Sequence, residues 1–151
     1  MIRSMRGYSM MELVVVLAIL AVAAALVGPA VGRTADTVRA RAEVGAVAAF
    51  LRAAREQAVT LRQPLEVTLD REAHTLLLQR PTREGEPTVL ARRAFSARVA
   101  MDASPTSPGV TFLPHGMSSG GRFTVETAGP RTYLITVDAL TGRVATRQAT
   151  R

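Results

Sequence analysis

Few side chains in this sequence combine the residue types and spacing that chemistry requires. Ser118, His115 and Asp138 supply the identities of a nucleophile, a base and an orienting acid. Nucleophilic catalysis needs the base within hydrogen-bond reach of the hydroxyl and a third group holding that base. Nothing beyond residue identity supports such a triad, and no G-x-S-x-G elbow surrounds Ser118. His74 and His115 are the only histidines and lack paired-histidine spacing, which disfavours a metal site. The absence of cysteine excludes disulfides, zinc–thiolate sites and thiol nucleophiles. No cofactor is indicated, and the reading is of a protein that is not an enzyme. Two other patterns carry more. Glu12 is a lone carboxylate at the entrance of an apolar run, Leu13 to Val31, that contains no ionisable side chain. Arg143, Arg147 and Arg151 fall within the last nine residues, with no acid after Asp138.

The apolar run sets the context of Glu12. About twenty residues at ~1.5 Å each match a hydrocarbon layer of ~30 Å, and a single crossing segment satisfies its backbone in lipid only as a helix. Arg3 and Arg6 precede the run with no acid among residues 1–7, which places the N-terminus in the cytoplasm and the rest of the chain across the membrane. A charged residue costs roughly 2.5–3.5 kcal/mol at the bilayer centre and less near the interface. Glu12 therefore either meets a cationic partner or rests among lipid headgroups. An ordinary export signal, cleaved after Ala21-Val22-Ala23, is the competing interpretation. It is disfavoured by a run longer than a 7–15-residue signal core and by the acid at its entrance.

The basic residues are all arginine, and the formal charge of +7 suits nucleic acid, anionic lipid or acidic protein without choosing among them. An exposed arginine tail can pair with phosphate through bidentate guanidinium contacts, which makes DNA a possible partner of Arg143, Arg147 and Arg151. No aromatic side chain follows Tyr133 to stack on a base, and the alternative is a solvated, frayed terminus.

The elements that position these residues follow from periodicity. Gly28 and Pro29 interrupt the apolar helix, so a kink or local melting is expected there. A helix resumes from Thr34 to about Arg62, with Val44, Val47, Leu51, Ala54, Ala58 and Leu61 on one face and Pro64 as its stop. The period then changes to two. Leu65, Val67 and Leu69 alternate with polar residues, and residues 75–79 form the return arm of a hairpin. An irregular strand or strand pair covers about 88–101. Strands near 110–113, 122–126, 132–137 and 143–146 follow, separated by turn-forming residues. The predicted organisation is residues 1–7 as a leader, 8–33 as the membrane helix, 34–63 as an amphipathic helix and 64–151 as a β-rich domain. One long helix followed by short strands gives an α+β class, with the helix packed on an antiparallel sheet or β-sandwich.

Gly7-Tyr8-Ser9-Met10-Met11-Glu12, followed at once by the apolar run, resembles the type IV prepilin signal shared by pilins and the pseudopilins of type II secretion. That resemblance implies cleavage between Gly7 and Tyr8 by a prepilin peptidase, N-methylation of Tyr8, and pairing of Glu12 with the freed amine of a neighbouring subunit. Tyr8 replaces the family's usual phenylalanine. Pro29 resembles the family's helix-breaking proline. The stretch Val110-Thr111-Phe112-Leu113-Pro114-His115-Gly116-Met117-Ser118-Ser119-Gly120-Gly121 and the late Leu140-Thr141-Gly142-Arg143-Val144 resemble the GspH/FimT group of minor pseudopilins. The implied role is a structural subunit of a periplasmic pseudopilus, anchored in inner-membrane lipid and packed against other pseudopilins through N-terminal helices. The alternative is a minor pilin of a type IV pilus that binds DNA. Gly142-Arg143 fits the arginine pattern of the DNA-uptake members, whereas Ala145 stands where a second arginine would strengthen it.

Overall fold

A computed structural model describes residues 9–82, 85–96, 100–103, 109–126 and 131–149, with only the backbone described for 26–35 and 100–103. Gly7 and Tyr8 at one end and Arg151 at the other lie outside the described residues. The chain divides into two compact units, Met1–Thr37 and Val38–Arg151.

Helix α1 runs from Met10 to Leu61. Ser9 caps its start: the Ser9 hydroxyl accepts from the Met11 N–H at 3.3 Å, and the Ser9 carbonyl accepts from the Glu12 and Leu13 N–H groups. In the first unit every described side chain from Met10 to Ala25 is exposed. Apart from Glu12 this surface is apolar, and among the described residues nothing buries it. Of the kink or local melting expected at Gly28 and Pro29, the melting is not found, because α1 is helical through both positions. Proline keeps a helical φ, which is compatible with helix on both sides of it, although it removes one backbone bond and crowds the preceding turn. The distal part of the Leu13–Val31 run falls where side chains are not described. Among the described residues no helix is long and apolar enough to cross a membrane.

In the second unit the face predicted from periodicity is buried: Val44, Val47, Leu51, Ala54 and Ala58, joined by Ala48. Leu61, assigned to the same face, is 45% exposed because the helix ends there. The stop is a Schellman turn. Gln63 N–H donates to the Ala58 carbonyl and Arg62 N–H to that of Val59, with Arg62 in the left-handed region at φ 51°. Pro64 follows this turn and does not create it.

Two four-stranded antiparallel sheets follow. The first has the order β3-β2-β1-β5, from Thr88–Ala94, Thr75–Arg80, Leu65–Asp70 and Gly109–Phe112; the second has the order β4-β6-β7-β8, from Ala100–Ala103, Gly121–Glu126, Thr132–Val137 and Val144–Ala149. The stretch predicted as one strand or pair over 88–101 separates into β3 and β4, which belong to different sheets. The last strand extends to Ala149, past the predicted end at residue 146. One core unites the helix with both sheets: Leu51 and Ala54 share it with Leu65, Val67 and Phe112 of the first sheet and with Phe123, Ile135 and Val137 of the second. Removing a side chain as fully buried as Leu51 typically costs about 2–5 kcal/mol.

Candidate functional site

The two late stretches singled out in the sequence meet in space. Between β7 and β8, Asp138 opens a four-residue loop, 139–142, that closes on Arg143. Its carboxylate accepts from the Thr141 N–H at 2.8 Å and the Thr141 hydroxyl at 2.7 Å. Gly142 N–H donates to the Asp138 carbonyl and Asp138 N–H to the Arg143 carbonyl, with Gly142 at φ +63°. This is a hairpin whose loop ends on a left-handed glycine, a conformation that the Asp-Ala-Leu-Thr-Gly order is suited to form. The Thr141 bonds hold the Asp138 carboxyl below the usual carboxylate range, with the Arg143 charge a smaller contribution. Leu140 is displayed at the tip, 75% exposed.

The second stretch packs against this turn. Leu113 N–H donates to the Met117 carbonyl and Gly116 N–H to that of Leu113, which closes a tight loop. Ser118, only 6% exposed, binds the turn directly: its hydroxyl donates to the Asp138 carbonyl at 2.9 Å and accepts from the Gly120 N–H at 3.0 Å. Its backbone N–H donates to the Ala139 carbonyl. Gly121 lies so close to Val110 that a Cβ there would overlap the valine methyl, which lets β6 follow β5 without a gap. Arg55, from α1, completes the cluster by donating from Nε to the Gly116 carbonyl at 3.0 Å. Gly142 sits against the same carbonyl and against the Arg55 side chain. One helix residue thus braces both loops. Sequence reading missed Arg55, because a single arginine on a charged helix has no local signature.

The predicted residues divide as follows. Ser118 and Asp138 are brought together, but through a backbone carbonyl. The Ser118 hydroxyl is taken up by the Asp138 carbonyl and the Gly120 N–H, the Asp138 carboxylate by Thr141, and His115 is exposed. Glu12 occupies the third position of α1, in its first turn and exposed, where the helix dipole favours a carboxylate. Ser9-Met10-Met11-Glu12 has the spacing of a capping box, a signal present in the sequence that the membrane reading passed over. The arginines correct the picture of a basic tail. Arg147 lies within β8 opposite Leu134, and Arg143 leads into that strand. Arg122, opposite Thr136 on β6, was not singled out. With Arg143, Thr136 and Ala145 it lines an open depression of about 1020 Å³ on the second sheet. Among the described residues no group of three or more His, Cys, Asp or Glu side chains could hold a metal ion.

A helix that buries one face of its C-terminal half against two antiparallel sheets, with its start from Met10 to Ala25 largely apolar and exposed, defines a pilin-like α+β protein. The comparisons agree and are more specific. The family model for type II transport protein GspH matches residues 43–141, and the chain belongs to that family. A curated relative is type II secretion system protein H of Xanthomonas campestris pv. campestris, 28% identical over 142 residues, which cover 94% of this chain and 83% of the relative. Two similar solved structures share the fold. The type IV minor pilin FimU of Pseudomonas aeruginosa has a TM-score of 0.59 at 15% identity, over 71% of this chain and 91% of FimU. The minor pseudopilin EpsH from the type 2 secretion system of Vibrio cholerae has a TM-score of 0.55 at 13% identity, over 76% of this chain and 96% of EpsH.

Proposed function

We propose that this chain is a minor pseudopilin, a non-enzymatic structural subunit of the periplasmic pseudopilus of a type II secretion system. The observation that carries this reading is the bare apolar surface of α1 from Met10 to Ala25. Surface of that kind is stable only in lipid or against other helices, and the apolar sequence to Val31 extends it to membrane-spanning length. The chain inserts into the inner membrane by this segment. Prepilin peptidase cleaves it between Gly7 and Tyr8, Tyr8 is methylated, and the helix then moves from lipid into a bundle with other pseudopilins. The Tyr8 amine of a neighbour meets Glu12 there, so the carboxylate enters the bundle paired. Gly28 and Pro29 are the positions at which the helix loosens on entering the filament. The engagement of the Ser118 hydroxyl in a turn supports a structural role for that loop. Mass spectrometry of the protein from its native membrane tests the proposal: the expected N-terminus is methylated Tyr8. An intact Met1 or a terminus after Ala23 refutes it.

A second reading rests on a different observation, the placement of Arg122, Arg143 and Arg147 on the second sheet. In it the chain is a minor pilin of a type IV pilus, and these arginines with Arg151 contact DNA phosphates. The purified chain then binds duplex DNA with an affinity that falls steeply with salt. An affinity unchanged when Arg143, Arg147 and Arg151 are neutralised excludes it.

A further inference from the structure

Among the described residues the two sheets have four edge strands, β3, β5, β4 and β8, and the first three are protected. An unprotected edge offers a row of free N–H and C=O groups to any extended chain, and proteins blunt edges with bulges, charge, brevity or cover. β3 has a register shift against β2 at Leu78/Gln79 and carries Arg92 and Arg93 side by side. β4 has only four residues. β5 is also four residues long and is covered: Ser119 N–H donates to the Thr111 carbonyl, Thr111 N–H donates to the Ser119 hydroxyl, and Phe112 bridges Ser118. Among the described residues β8 has no bulge and no covering strand, and it is longer than β4 or β5. It runs six residues in unbroken register with β7, contains no proline, and carries one charged residue, Arg147.

The hydrogen-bond phase of β8 is fixed by the hairpin. Asp138 N–H donates to the Arg143 carbonyl, so Arg143 faces β7. Bonded and non-bonded positions alternate along an antiparallel pair. Ala145, Arg147 and Ala149 therefore bond to β7, and the backbone groups of Val144, Thr146 and Gln148 point out from the sheet edge. Thr146 and Gln148 are exposed.

We infer that the β8 edge is a strand-addition site that receives an acidic, extended segment from a different subunit. Addition of a strand to an open edge draws affinity from main-chain bonds and specificity from alternate side chains. The side chains here select for acid. Arg147 stands at the centre of the strand, Arg143 at its start, and small Ala145 and Ala149 leave room on either side of Arg147. A second copy of this chain is the wrong occupant, because pairing β8 with β8 brings the two Arg147 side chains near each other and joins two bodies of net charge +7. The inference builds on the subunit reading for the identity of the partner, but the edge itself is a property of the globular unit alone.

The test uses the full chain in detergent and a fluorescent ten-residue peptide of alternating valine and glutamate, with a valine–lysine peptide as its counterpart. The glutamate peptide binds at least about tenfold more tightly than the lysine peptide. On binding it slows amide hydrogen exchange at Val144, Thr146 and Gln148. Thr146→Pro removes an outward-facing N–H that β7 does not use, so binding falls at least about tenfold while the melting temperature is kept. Gln148→Pro serves the same purpose if Thr146→Pro fails to fold. Equal binding of the two peptides, protection elsewhere, binding that survives both proline variants, or self-association through β8 overturns the inference. A chain processed to methylated Tyr8 whose β8 gains no protection refutes strand addition and leaves the subunit reading standing.

Discussion

Replacing Gly142 by alanine tests how the loop cluster is built. Gly142 has φ +63°, a conformation costing an L-residue roughly 1–2 kcal/mol. The added Cβ would also overlap the Gly116 carbonyl oxygen and stand 2.8 Å from Arg55 Nε and 3.1 Å from Arg55 Cδ. The carbonyl belongs to backbone and cannot yield without losing the bond from Arg55. A hydrogen bond to a charged donor is worth about 1.5–3 kcal/mol. Together these give a loss of about 3–4 kcal/mol, which for a unit of this size lowers the melting temperature by roughly 10–20 °C. Urea unfolding of the wild type, Gly142→Ala, Arg55→Ala and the double variant measures it. Since alanine at 142 acts partly by displacing Arg55, the double variant should fall short of the sum of the singles by about 1 kcal/mol or more. Gly45→Ala is the control, since Gly45 lies in α1 with nothing within 4 Å of an added Cβ, and it should gain about 1 kcal/mol from helix propensity alone. A Gly142→Ala loss under about 1 kcal/mol, or strict additivity with Arg55→Ala, refutes the brace.

Arg62→Gly relieves a left-handed residue at the Schellman position, and unfolding experiments should show a gain of about 1 kcal/mol. Tyr133→Phe should be neutral or stabilising by about 1 kcal/mol, because the Tyr133 hydroxyl is buried and has no hydrogen-bond partner among the described residues. The Asp138 carboxyl lies below its usual range in the folded chain, so the stability it contributes is present at neutral pH and is lost as pH falls through that lowered value. NMR titration should find Asp138 ionising below ordinary aspartates, and Thr141→Val should move it back up.

What the sequence disclosed depended on whether an element buries one face. Leu65 and Val67, and Tyr133, Ile135 and Val137, alternate because one side of each strand meets the core, and Val44 to Ala58 recur at helical spacing for the same reason. β8 was read short because Thr146, Arg147 and Gln148 are exposed on both faces, so an edge strand there has no alternation to detect. The turn at Gly142 was visible from its residues, but its partner was not. Arg55 reaches Gly116 across sixty-one positions of sequence, and nothing in its helical neighbours marks it out. The late motifs that resemble the family are therefore explained by packing: glycines allow the loops to touch, and Ser118 and Asp138 tie them.

Glu12 remains the residue on which two physical accounts compete, and one substitution separates them. As the third helical residue after Ser9 it can serve the N-terminus locally, through the dipole and the spacing of a capping box, worth about 0.3–1 kcal/mol. As a carboxylate beside exposed apolar side chains it can instead be the acid that a neighbour's Tyr8 amine neutralises. Glu12→Gln retains the hydrogen-bonding capacity of a capping box and removes the charge. If the local role is all that matters, Glu12→Gln enters filaments as well as wild type and only Glu12→Ala shows a small loss. If the residue pairs with an amine, glutamine and alanine reduce incorporation alike while leaving membrane insertion unaffected, since removing a charge from an apolar segment does not hinder its entry into lipid. Sedimentation of sheared filaments against total membrane protein measures both quantities. Wild-type incorporation of Glu12→Gln would eliminate the charge-pairing account and leave Glu12 as a helix cap.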